Sequence, residues 1–202
     1  MNPTDAFEKR LLLMGRITRL FQDRGWSLVV VGGSALEFYT EGQYLSGDID
    51  VCRQQGQKPI PPNVERDVML AVGAVSTGTR RQWKIGDIFI DFLGEIETGR
   101  DPVFRHLETA DGPVQIMPAE DVLVERVFVA YSRTPPETVA LAAAKRMAAA
   151  AVAMGADFDW DKTIALARGA EYGIEQPLRD LVAEIITPSP LSPPEDKEGA
   201  EK

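Results

Sequence analysis

The sequence predicts an α+β fold, a mixed sheet with flanking helices followed by a C-terminal helical bundle. Over residues 1–117, short apolar runs bounded by glycine or proline alternate with segments of helical period. From 118 to 187 only the helical period persists, so the sheet should be complete before the bundle begins. Residues 188–202 hold prolines, acids and two lysines with little to bury, and are expected to be a disordered tail.

Each element has a local reason. Thr4 or Asp5 can cap a first helix to about residue 23, with Phe7, Leu11, Met14, Ile17 and Leu20 at helical spacing and Gly25 ending it. Residues 27–31 form a short apolar strand, and a helix from 34 to about 39 opens at the glycine turn. A strand through Asp48-Ile49-Asp50-Val51 continues to 53. Pro61-Pro62 starts a helix through about 72, since proline suits a first turn. Residues 82–84 and 87–93 read as a hairpin joined at Gly86, and 114–117 as a further strand. Helices then span 118 to about 132, Thr134-Pro135-Pro136-Glu137 to about 154, Asp157 or Asp159 to about 170, and 176–186.

The chemistry concentrates in three places. Val30-Val31-Gly32-Gly33-Ser34-Ala35 is a buried strand ending in a glycine turn, where backbone N–H groups at a helix start can hold a phosphate. Asp48 and Asp50 then share one face of a strand, because strand side chains alternate. Adjacent carboxylates repel, and a hard divalent cation removes that cost. The third place is Ile88-Phe89-Ile90-Asp91-Phe92-Leu93, where a single carboxylate interrupts an apolar run and needs a partner or a metal. Taken singly, each fits a solvated strand edge or an ordinary turn; their order and spacing favour a metal beside a phosphate.

These residues resemble the pattern of the nucleotidyltransferase (polymerase-beta-like) superfamily. The string Glu37-Phe38-Tyr39-Thr40-Glu41-Gly42-Gln43-Tyr44-Leu45-Ser46-Gly47-Asp48-Ile49-Asp50 is similar to bacterial proteins of that fold, related to abortive-infection and toxin–antitoxin nucleotidyltransferases. Ile116-Met117-Pro118-Ala119-Glu120-Asp121-Val122-Leu123-Val124-Glu125-Arg126 resembles the start of their helical region. The resemblance implies that Asp48 and Asp50 ligate Mg²⁺ (or Mn²⁺), that Asp91 completes a second metal site and serves the attacking hydroxyl, and that Gly32, Gly33, Ser34 and Ser46 hold a nucleoside triphosphate such as ATP. The implied reaction moves a nucleoside monophosphate to a hydroxyl of an RNA end, a protein or a small molecule and releases pyrophosphate. A toxin–antitoxin or stress-system setting with a cognate antitoxin belongs to the same implication. The alternative is a catalytically weak nucleotide-binding or regulatory protein on this fold.

Among other candidates, Arg80, Arg81 and Lys84 form a basic cluster that could meet phosphate or an RNA acceptor, or could be a solvated face. Arg126 lies within an apolar helix pattern and could face the cleft or pair on the helix surface. Tyr44 and Trp83 could stack on a base or pack in the core.

Composition narrows the classes. A net charge of −9 argues against broad nucleic-acid binding without excluding a local basic patch. One cysteine, Cys52, and one histidine, His106, make thiolate zinc sites and Cys-His catalysis unexpected, and point to a reducing cytoplasm. No signal peptide, no bilayer-spanning stretch and no membrane partner are expected. A Rossmann fingerprint would need a further glycine soon after Gly33, and a P-loop would need Gly-Lys-Ser/Thr; neither is present.

Overall fold

The computed structural model describes residues 3–99 and 102–187; the expected tail at 188–202 lies outside them. Helix α1 (Pro3–Gln22) fully buries Met14, Ile17 and Phe21, with Arg10 on the same stripe. That stripe is turned from the expected one, because Phe7, Leu11 and Leu20 are only partly buried. A charge at position 10 hid the true face: Arg10 is held inside by an ion pair.

Strand β1 (Leu28–Val30) runs into α2 (Gly32–Tyr39), and β2 (Asp48–Arg53) leads to α3 (Pro62–Ala71). Then come β3 (Val75–Ser76), β4 (Gln82–Ile85), β5 (Ile88–Glu95), β6 (Arg105–Thr109) and β7 (Gly112–Ile116). The strands form one sheet in the order β3-β4-β5-β2-β1-β7-β6, with β2 at its centre. β2 pairs antiparallel with β1 and parallel with β5, and β1 pairs parallel with β7. The remaining neighbours are antiparallel. The sequence reading did not include β3 or β6. β3 is two residues long, and β6 is an edge strand, Arg-His-Leu-Glu-Thr, without an apolar run.

The two faces of the sheet differ. Ile49, Val51 and Ile90 are fully buried and Phe92 nearly so. This apolar face meets α1 and α3: the Phe21 and Phe92 rings stand 5.5 Å apart, and Trp83, which pairs with Ile90, donates its indole N–H to Glu65 of α3. Asp48, Asp50 and Asp91 alternate with these residues and face the other way. α1 also lies hard against the β6–β7 turn. An ideal Cβ built on Gly15 would lie 2.6 Å from the Gly112 carbonyl oxygen, so only glycine allows this approach.

Helices α4 (Ala119–Tyr131), α5 (Thr138–Met154), α6 (Trp160–Arg168) and α7 (Glu175–Ile186) form the expected bundle, with a 3-10 turn at Gly155–Asp157. α4 packs on α2, α5, α6 and α7. Helix α5 starts later than expected: its cap is Glu137, whose carboxylate accepts the Val139 and Ala140 N–H groups. Asp159 caps α6 through the Lys162 N–H. The acids at the start of α4 are structural, since Glu120 accepts the Asp159 N–H and Asp121 the Gly99 N–H.

Among the described residues one helical stretch, Thr138–Asp157, is long and apolar enough by length and composition to cross a membrane, where the sequence reading expected none. It carries Lys145 and Arg146 at its middle and packs Ala143, Ala144, Met147, Ala148 and Ala151 into the interior, against α4 and α7. Those residues form one packed face of an otherwise more exposed bundle helix.

Candidate active site

Register brings the acids together. Asp50 stands opposite Asp91 in the β2–β5 pairing, and Asp48 follows on the same face. One carboxylate oxygen from each of the three lies within 4.8 Å of the others. Two charges at that distance repel by roughly 3 kcal/mol at an effective dielectric near 20. Burial first, then Asp48 and Asp91, push the Asp50 carboxyl up to about 6, while Arg126 pulls it back. A crowded carboxylate set needs a proton or a cation, and three oxygen donors suit Mg²⁺ or Mn²⁺.

The glycine turn borders this cluster. Gly32 has φ 62°, a conformation that costs other residues about 1–2 kcal/mol. An ideal Cβ there would lie 3.0 Å from Asp50 Oδ2 and 3.8 Å from Arg126 Nη2. At Gly33 it would lie 3.1 Å from Ser46 Oγ and 3.6 Å from the Tyr44 hydroxyl. Side chains at 32 and 33 are therefore excluded by the close approach of Asp50, Ser46, Tyr44 and Arg126 to the turn. Arg126 pairs with Glu125 at 2.7 Å through Nη2, and its Nε is buried without a hydrogen-bond partner among the described residues.

Ser34 is placed differently from the expectation that its hydroxyl meets a phosphate. It is fully buried; its hydroxyl donates to the Asp48 carbonyl and accepts the Asp50 N–H, both at 2.9 Å. It clamps the acid strand to the start of α2. Ser46 sits at the rim, where its hydroxyl donates to Asp48 Oδ1 at 3.3 Å.

The sequence reading missed three supporting residues. Arg10 and Glu37 meet at 2.8 Å with side chains 8% and 0% exposed, a coulombic contact without linear hydrogen-bond geometry. Arg10 also donates to the Asp48 carbonyl at 2.5 Å, and Glu37 accepts the Ser46 N–H at 3.0 Å. Burial raises the Glu37 carboxyl above its usual range and Arg10 opposes it. The pair thus ties α1 and α2 to both ends of the segment that delivers Asp48. The third residue, Gln82, donates to Asp91 Oδ2 at 3.3 Å. A charge on the buried stripe of α1 was the one available signal for Arg10.

The other candidates divide between the two faces of the sheet and the bundle. Arg81 turns to Glu65 at 3.1 Å, the carboxylate that also holds Trp83, and so belongs with α3 on the far face; Trp83 is a core residue. Arg80 is exposed beside it. Lys84 pairs with Phe89 and keeps to the acid face of β4, its ammonium 5.1 Å from the Phe89 ring centre. Lys145 pairs with Glu184 on α7 at 2.5 Å. His106 is exposed on β6. Burial, helped by Asp50, pushes the Cys52 thiol up to about 11, so it is no thiolate nucleophile near neutral pH.

No protein-family model matches the chain, and no curated protein matches it. Solved structures do. The solution structure of antibiotic-resistance factor ANT(2'')-Ia superposes with TM-score 0.51 at 15% identity, covering 88% of this chain and 91% of that one. An antigenic nucleotidyltransferase-like protein from Paracoccidioides brasiliensis superposes with TM-score 0.55 at 11% identity, covering 90% of this chain and 88% of that one. The chain has the nucleotidyltransferase-type fold.

Proposed function

We propose that, on this nucleotidyltransferase-type fold, the chain moves a nucleoside monophosphate from a nucleoside triphosphate to a hydroxyl acceptor in a metal-dependent reaction. The observation that carries this reading is the cluster of Asp48, Asp50 and Asp91 packed against the glycine turn at Gly32 and Gly33. Asp48 and Asp50 would hold Mg²⁺ or Mn²⁺, with Asp91 completing a second position. A cation bound there neutralises developing charge on the phosphates and on the attacking and leaving oxygens.

The chain's own groups supply the rest. Gly32 and Gly33 let the start of α2 close on Asp50 and Ser46, and the N–H groups of that turn would meet the phosphates. Arg126 puts a guanidinium against the same turn, suited to phosphate oxygens by its planar fork. Asp91 takes the proton of the acceptor hydroxyl as its oxygen attacks the α-phosphorus. The bond from that phosphorus to the bridging oxygen breaks, and pyrophosphate leaves. Gln82 orients Asp91 through their hydrogen bond, and Lys84, on the same face of the sheet, would meet the acceptor or the phosphates. Ser34, Arg10 and Glu37 position the acids without touching substrate.

The net charge of −9 favours a small molecule, a protein hydroxyl or a compact RNA end over long duplex as acceptor. The resemblance in the 37–50 string supports a toxin–antitoxin or stress-system setting with a cognate antitoxin. A lone, buried Cys52 suits a reducing cytoplasm.

The test is transfer of label from each α-phosphate-labelled nucleoside triphosphate, with Mg²⁺ or Mn²⁺, to RNA, protein and metabolite fractions of a cell extract. Wild type should label one fraction and Asp50→Asn none. If neither transfers label but wild type alone binds nucleotide in a metal-dependent way, the protein is a nucleotide-binding regulator. Loss of that binding difference as well would sink the catalytic reading.

A further inference from the structure

A second cavity lies away from the acids. It has a volume of about 910 Å³ and opens between the start of α3 and the β3–β4 connection, with Asn63, Arg66, Ser76, Arg80, Arg81 and Trp83 among its walls. Trp83 and Glu65 place it on the apolar side of the sheet, opposite Asp48, Asp50 and Asp91. Three guanidiniums around one cavity stand out in a chain of net charge −9.

These arginines are largely uncommitted. Arg80 has no ion-pair partner among the described residues. Arg66 meets Asp67 only at 3.5 Å, with both side chains more than half exposed, a pair worth well under about 1 kcal/mol. Arg81 spends only its Nε, on Glu65, which leaves the outer nitrogens of its fork. Its backbone has φ 61°, so an L-residue is held where glycine would be relaxed, at a cost of about 1–2 kcal/mol. Glu65 is the one carboxylate in the wall and is already neutralised by Arg81, so Arg66 and Arg80 leave the cavity cationic.

We propose that this cavity is a second, non-catalytic site for a phosphate-bearing ligand, gripped by Arg66, Arg80 and Arg81. Its volume suits a nucleotide-sized group, and arginine forks match phosphate oxygens. The same chemistry could come from a free phosphorylated metabolite or from the backbone of a single-stranded RNA. The site does not depend on the catalytic reading.

The test uses the full chain in EDTA, with pyrophosphate as one probe and a short single-stranded oligoribonucleotide as the other. Binding is read from the Trp83 indole N–H resonance, assigned with Trp83→Phe. The resonance should move saturably in wild type and equally in Asp50→Asn. In Arg66→Ala/Arg80→Ala the affinity should fall on the order of tenfold or more. Both side chains are exposed, so that variant should keep the wild-type melting temperature. Tighter, steeply salt-dependent binding of the oligoribonucleotide would identify a nucleic-acid backbone; comparable or weaker binding would identify a free phosphate ligand. The proposal is overturned if neither probe moves the resonance, or if the double variant binds both like wild type. Metal-dependent nucleotide binding, lost in Asp50→Asn, reports separately on the catalytic reading.

Discussion

Arg10 and Glu37 sit 2.8 Å apart with almost no solvent access, so removing either charge strands the other. Arg10→Met or Glu37→Gln should each cost about 3–5 kcal/mol in urea unfolding, and the double variant Arg10→Met/Glu37→Leu should recover much of that loss. Because the pair also holds the Ser46 N–H and the Asp48 carbonyl, the folded fraction of either single variant should bind Mn²⁺ more weakly than wild type. Asp50 sets a pH dependence. Its folded carboxyl is raised to about 6 from 3.8, so its contribution to metal-free stability is present below 3.8 and lost as pH rises through about 6. On the proposed reading, Mn²⁺ would compete with the same proton. Its affinity, measured by calorimetry, should therefore fall by roughly tenfold for each pH unit below about 6. Asp48, Asp50 and Asp91 could be read from the sequence because charges inside apolar strands stand out. Ser34 misled, since a hydroxyl near a glycine turn serves a phosphate or a backbone equally well, and only packing decides which. Glu37 was unreadable because its partner lies on another helix.

Among the elements, α1 and the β6–β7 turn make the closest backbone approach. Gly15→Ala would gain up to about 1 kcal/mol of helix propensity if the site were open. Its Cβ would instead lie 2.3 Å from Thr109 Oγ1 and 2.6 Å from a backbone oxygen, contacts that force the hairpin to move. The variant should lose about 1–3 kcal/mol, seen as a lower melting temperature. The elements found from sequence are those with a period or a breaker: the apolar strands, the Gly86 hairpin and the helices after proline or aspartate. β3 and β6 lack both, being too short or too polar. The start of α5 was misjudged because Thr134 and Glu137 both offer capping oxygens, and only the chain path selects Glu137. Register matters most at β5. One residue inserted between Gly86 and Asp91 should turn Asp91 to the apolar face and abolish Mn²⁺ binding, even if the hairpin still forms.

Across the whole molecule, sheet and bundle share the site, since the acids come from β2 and β5 and Arg126 comes from α4. Trp83 reports on the sheet and Trp160 on the bundle, so single-tryptophan variants retaining one or the other should melt in coincident transitions. Separate transitions would mean that the bundle folds on its own. The parallel pairing of β2 with β5 also has a consequence for biosynthesis. A ribosome delivers Asp48 and Asp50 well before Asp91, and Ile116, which closes β7 on β1, comes later still. Until β5 docks, the first two acids lack their third companion, and the cluster is incomplete. The three-acid cluster is thus assembled late, and a stalled or truncated chain ending before β5 should bind Mn²⁺ more weakly than the full chain.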